Sequence, residues 1–230
     1  RLVSVYYEAQ VVNVNKSGST ITAITTDDGR VFSAKVFVDA SYEGDLLAHA
    51  GVDYAVGRES PTKYNESLAG RLKMSSSNQN EFRGVANPFD ADGNTLAGIM
   101  TESDANQTAG RLGDGDKMVQ AYNFRLCVTN DTNNQIPFPK PDEYHAEDWE
   151  LLVRTYQANP DEFVVPSCNT QPIPNFKFDN NNCGPVSSDL ITAAYTNVSW
   201  RNFTSWAFPE ADYATRREIW YVHRRYQQGL

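Results

Sequence analysis

Few residues in this chain have the types and spacing that chemistry needs, and two arginines lead them. Arg58 lies in Gly57-Arg58-Glu59, placed to orient a substrate or to close an ion pair with Glu59. Arg125 shares a strand face with Asn123 in the alternating run Tyr122 to Cys127. A guanidinium in a partly buried layer needs an anionic partner, so Arg58, Arg125 and Asn123 are the candidates for holding one. No residue qualifies as a general base. His49, His145 and His223 are scattered and form neither a metal triad nor a Ser-His-Asp order. Without a C-x-x-C pair, no zinc site or dithiol motif is expected. Asp90-Ala-Asp-Gly-Asn94 has the look of a calcium loop but lacks the distal glutamate, and reads as a turn. No metal site is assigned.

The element that carries most information runs from Val36 to Gly51. Val36, Phe37 and Val38 form an apolar run suited to a strand covered on both faces. Ala40 and Ser41 follow, small enough for the backbone to approach another group closely. Gly44 and Asp45 turn the chain into a short helix, with Asp45 as N-cap and Gly51 at C′. A strand end with small residues and a helix start is where α/β sheets bind ligands, although an ordinary strand-to-helix turn looks the same. Upstream, Leu2 to Val14, Thr20 to Thr26 and Val31 to Ala34 read as a three-stranded meander, broken at Ser17-Gly18-Ser19 and Asp27-Asp28-Gly29.

The stretch from Ala34 to Ser60, AKVFVDASYEGDLLAHAGVDYAVGRES, resembles the signature of FAD-dependent oxidoreductases with a glutathione-reductase-type flavin domain. AYNFRLCVT (Ala121 to Thr129), IPFPKPDEY (Ile136 to Tyr144), DNNNCGPVSSDL (Asp179 to Leu190) and the tyrosine-rich segment Phe208 to Leu230 are similar to further family blocks, in the same order. The resemblance implies an α/β fold, α+β within these residues, with FAD as cofactor and a small-molecule substrate. It implies that residues 1–57 are the later part of the FAD-binding domain and that 58–230 form a mixed helix and strand region on the substrate side. It also implies that the backbone of Val11 lies beside the adenine and that Ala40 and Ser41 admit the nucleotide half of FAD. Arg125 would then face the flavin N1–C2=O edge, a substrate carboxylate or a structural Asp. The family's G-x-G-x-x-G phosphate turn is absent, with Gly113-Asp-Gly115 the nearest trace. The chain therefore reads as an internal fragment of a larger flavoprotein, or as a truncated gene product, inactive by itself.

Composition narrows the alternatives. With 20 Lys and Arg against 29 Asp and Glu, the net charge is −9 and nucleic acid is not an expected partner. No apolar run is long enough to span a membrane. Six N-x-S/T sequons, at Asn15, Asn65, Asn106, Asn130, Asn197 and Asn202, are a modest excess that points to a secreted glycoprotein. Cys168 and Cys183 flank a Pro- and Asn-rich loop and are expected to bridge it, which suits an oxidising compartment. Cys127 is expected to be a buried free thiol. A secreted carbohydrate-active enzyme, or an extracellular binding module, is the competing reading, but no pair of acids stands out for glycoside hydrolysis. The oligomeric state is open.

Further along, the pattern predicts a strand over 53–56, a short helix near Asn65 to Leu72 and a strand over 118–128. It predicts a helix from His145 to Asn159 with Trp149, Leu152, Val153 and Tyr156 inward, and a strand or helix over 189–195. The last helix is expected over Tyr213 to Gln228, with Ile219, Trp220, Val222, His223 and Tyr226 on its inner face.

Overall fold

The computed structural model describes residues 3–72, 86–96, 110–119, 122, 126–142, 144–158, 170–180 and 205–229. Asn123, Arg125, Asn181, Asn182, Cys168, Cys183, the segment 189–195 and the sequons at Asn106, Asn197 and Asn202 lie outside them. The chain divides into two compact units, Arg1–Ala55 and Val56–Leu230.

The first unit is built on the expected meander. Strands β1 (Val11–Ser17), β2 (Thr20–Thr26) and β3 (Val31–Ser33) form one antiparallel sheet in the order β1-β2-β3. Thr, Val and Ile supply the β-branched stiffness, and Gly18 and Gly29 take the positive φ values of the two turns, +60° and +82°. β1 starts at Val11 rather than near Leu2, and its pairing is irregular at that end: Val11 faces Thr26, but Asn13 faces Thr25. Helix α1 (Asp45–His49) leans on β1, where Lys16 Nζ donates to the Ala50 carbonyl at 2.5 Å.

Three expectations fail here. Val36 to Val38 is extended but joins no sheet, and Val36 and Val38 are 75% and 80% exposed. A strand covered on both faces needs hydrogen-bonded neighbours. Among the described residues, β2 is the only pairing partner of β3, and none reaches Val36. Asp45 is not the N-cap either. Gly44 holds that position with φ +72°, and Asp45 is the first helical residue. Gly51 does follow the helix at φ +67°, as expected of a C′ glycine. No strand forms over 53–56.

The second unit contains helix α2 (Pro61–Tyr64), strand β4 (Leu126–Thr129), a 3-10 turn (Ala146–Trp149) running into α3 (Glu150–Ala158), strands β5 (Thr170–Ile173) and β6 (Lys177–Asn180), and α4 (Tyr213–Gly229). The order β4-β6-β5 makes a second antiparallel sheet, with Thr129 opposite Lys177 and Cys127 opposite Asp179. α2 replaces the helix expected near Asn65 to Leu72. Pro61 opens it at N1, where a missing N–H costs nothing, and Asn65 closes it in the left-handed region at φ +58°.

The helical core of this unit is aromatic. Trp149 stacks on Tyr144 at 5.1 Å and on Tyr226 at 5.5 Å, and Ile219 and Val222, on the same helix as Tyr226, are buried. α4 buries Ile219, Val222, His223, Tyr226 and Gln227, a stripe at i, i+3, i+4, i+7 and i+8. Trp220 falls one position off the stripe and is 46% exposed, against expectation. In α3 the 3-10 start displaces the helical phase, so Leu151, Leu152 and Thr155 are buried while Val153 and Tyr156 face solvent. Cys127 is free, as expected, but exposed rather than buried. A small three-stranded sheet has a face to spare for solvent. Asp90 to Asn94 forms the expected turn, with Asp90 Oδ1 accepting the N–H groups of Asp92 and Asn94 at 2.9 and 2.8 Å. Among the described residues no group of acids, histidines or cysteines is placed to hold a metal, and no helix is long and apolar enough to cross a membrane.

Candidate functional site

The turn from Asp39 to Leu47 is the most organised polar structure of the first unit. Asp39 Oδ1 accepts the Ser41 N–H at 3.0 Å and the Ser41 hydroxyl at 2.7 Å. Its Oδ2 accepts the Leu47 N–H at 3.0 Å, and the Leu46 N–H is a further donor to this carboxylate. Ser41 Oγ in turn accepts the N–H groups of Gly44 and Asp45 at 3.0 and 3.1 Å. The orphan donors of α1 are thus satisfied from outside the helix, by a serine and an aspartate upstream. Slight desolvation works to raise the Asp39 pKa, but the Ser41 hydroxyl and three backbone N–H groups outweigh it and hold the carboxyl below its ordinary range.

This arrangement assigns different work to neighbouring residues. A carboxylate has about four lone-pair sites, and those of Asp39 are taken by the turn. The Ser41 hydroxyl has spent its donor and both acceptors. Ala40 is left between them, exposed, with a methyl side chain and backbone groups that no described residue engages. Ala40 and Ser41 are therefore brought together in one ligand-accessible turn. Val11 stands at the irregular start of β1, half-buried.

The segment is acidic: Asp39, Glu43 and Asp45 disfavour close approach of an anion, whereas the accessible backbone of Ala40 suits an uncharged group.

A second cluster, in the second unit, is centred on Arg58. Arg58 and Asp116 exchange backbone hydrogen bonds, N–H to O at 3.0 and 2.9 Å. Their side chains also form a two-pronged ion pair: Arg58 Nε donates to Asp116 Oδ1 at 3.0 Å, and Nη2 donates to Oδ2. The Met118 N–H adds a third donor to Asp116 at 2.9 Å. Burial opposes ionisation of Asp116, but Arg58 and the Met118 N–H prevail and its pKa lies below the ordinary value. The expected Arg58–Glu59 pair does not form. Glu59 instead binds Lys63, one helical turn on, at 2.9 Å.

Glycines make this contact possible. At Gly57, φ is +99° and a Cβ would lie 2.1 Å from the Asp116 carbonyl oxygen. Arg71, buried, extends the clasp: its N–H reaches the Asp114 carbonyl at 2.9 Å and its Nη1 reaches the Gly110 carbonyl at 2.6 Å. The segment 113–116 is thus the backbone partner of both arginines, Gly113 and Asp114 for Arg71 and Asp116 for Arg58.

Asp39 and Asp116 were not singled out from sequence. Asp39 had a readable signal, the Asp-x-Ser spacing of an Asx-type turn ahead of a helix. Asp116 had none, since its partner lies 58 residues away.

The family model described as FAD dependent oxidoreductase matches residues 1–230. Comparison with curated proteins and with solved structures gave no match.

Proposed function

The chain belongs to the FAD-dependent oxidoreductases, and from that premise we propose that its first unit carries part of a glutathione-reductase-type flavin site. The cofactor is FAD. When bound, it supplies two-electron redox chemistry at its isoalloxazine ring. The protein's share is to bind, orient and shield. Ala40 presents its backbone to the ribose and adenine half, Ser41 and Asp39 hold that backbone rigid, and Val11 closes on the adenine from β1. Residues 58–230 form the substrate side, where a small molecule meets Arg125 and Asn123. The observation that carries this reading is the turn at Ala40: a ligand-accessible backbone braced by a saturated carboxylate, inside a chain that matches a flavoenzyme family throughout. The carbohydrate-active enzyme and the binding module have no comparable support.

The test is Ala40→Leu in the full-length protein, which adds bulk where close approach is required. Flavin absorbance per polypeptide is expected to fall at least about tenfold, while far-ultraviolet circular dichroism is unchanged. Full flavin loading in a folded Ala40→Leu protein refutes the placement.

A further inference from the structure

The second unit carries a groove of about 780 Å³ that neither cluster above uses. Its size is that of a small-molecule site. Three elements build it. β4 and β6 contribute Cys127, Thr129 and Lys177, which share a sheet face because Thr129 stands opposite Lys177 and two residues from Cys127. α4 contributes Trp220 and Arg224, one turn apart, with the guanidinium 5.8 Å from the indole ring centre. The proline-rich strip 136–139 supplies Phe138. Proline fixes φ and keeps that strip extended, so Phe138 is held there at little entropic cost.

The charge of this groove runs against the rest of the chain. The protein carries −9 overall, yet the charged residues among the groove's described side chains are Lys177 and Arg224 alone. Neither makes an ion pair with a described residue. In the register Asp179 stands opposite Cys127, two residues along β6 from Lys177. Two cations next to exposed aromatic faces select for a ligand with both a flat apolar body and a negative group. We propose that this groove binds a small planar aromatic anion, of the aryl carboxylate class. The ring lies against Trp220 and Phe138, and the carboxylate sits between Lys177 and Arg224. This proposal concerns a binding site separate from the flavin site.

The test measures binding of 2-naphthoate to the flavin-loaded full-length protein by calorimetry, with 2-naphthylmethanol as the neutral isostere. Naphthoate is expected to bind saturably, with one site, and at least about tenfold more tightly than the alcohol. Lys177→Gln and Arg224→Gln are each expected to weaken it about three- to tenfold, discounted for the exposure of both cations. Both positions are exposed on the sheet or helix surface, and unchanged circular dichroism checks that the fold survives. Equal affinity for the neutral isostere, or indifference to both cation substitutions, overturns the proposal. Stoichiometric release of flavin into the ultrafiltrate on naphthoate addition also overturns it, since the groove would then be the seat of the cofactor itself.

Discussion

Removing the Asp116 carboxylate tests whether Arg58 holds the fold or serves the substrate. Asp116 accepts three hydrogen bonds, two from the Arg58 guanidinium and one from the Met118 N–H. Its side chain is 9% exposed and that of Arg58 36%. Breaking a fully buried pair costs about 3–5 kcal/mol, and an exposed pair is worth about 0–1 kcal/mol. A pair with one buried and one half-wet partner falls between them, so Asp116→Ala is expected to destabilise by about 2 kcal/mol. Asp116→Asn keeps the volume and one acceptor, and is expected to cost about 1 kcal/mol. For a chain of this size the first change lowers Tm by roughly 4–8 °C. Gly57→Ala attacks the same contact through the backbone, with both a positive φ and a clash against the Asp116 carbonyl. It is expected to cost more, about 3 kcal/mol.

The pH dependence follows from the sign of the shift. The Asp116 pKa is lowered in the folded protein from its ordinary 3.8. Its stabilisation is therefore complete above that ordinary value and is lost as pH falls through the folded value below it. The gap between wild type and Asp116→Ala is expected to stay constant from neutrality to about pH 5 and to close at lower pH. Denaturant melts across pH, combined with an Arg58→Gln/Asp116→Asn double-mutant cycle, provide the assay, and a coupling energy of about 1 kcal/mol is expected. The reasoning is refuted by an Asp116→Ala cost within about 0.5 kcal/mol of zero. It is equally refuted if Arg58→Gln lowers turnover per bound flavin while Tm is unmoved, because the guanidinium would then act on the substrate.

Three other outcomes are expected. Cys127, free and exposed, should react with a maleimide in the native protein; labelling that needs denaturant would contradict its placement. Phe176 sits at φ +58° in the turn between β5 and β6, a region that costs a non-glycine residue about 1 kcal/mol. Phe176→Gly should therefore raise Tm by roughly 2–4 °C, and a fall would count against the strain. We further propose that Arg125 pairs with flavin or substrate: Arg125→Lys should keep the fold but reduce turnover per bound flavin at least about tenfold, roughly 1.4 kcal/mol. A drop in Tm with turnover intact assigns Arg125 a structural aspartate instead.

What was legible in this sequence was what neighbours in the chain decide among themselves. The meander turns at Gly18 and Gly29, the Asp90 turn, the C′ glycine at Gly51 and the stripe of α4 all rest on interactions within a few residues. Val36 to Val38 shows the limit. Three apolar β-formers satisfy a buried strand and an exposed extended segment equally well, and only a hydrogen-bonding neighbour separates the two. The helix expected near Asn65 to Leu72 forms earlier instead, because Pro61 opens α2 at N1.

The acids mark the deeper limit. Neither Asp39 nor Asp116 stood out in the sequence, yet each braces a backbone against its neighbours. Their roles differ because their donors differ. Asp39 is satisfied within eight residues, by Ser41 and the start of α1, so an Asp-x-Ser pattern can carry it. Asp116 draws its second partner from 58 residues away, through a contact that Gly57 permits by having no Cβ. The glycine and the acid are one device written in two distant places. A local reading sees a turn glycine, a surface arginine and a loop aspartate, and assigns the arginine to the nearest carboxylate, Glu59. Chain proximity favoured Glu59, but Glu59, just ahead of α2, already has Lys63 four residues on. The competition between partners, rather than the attraction of any single pair, decides where the Arg58 charge is spent.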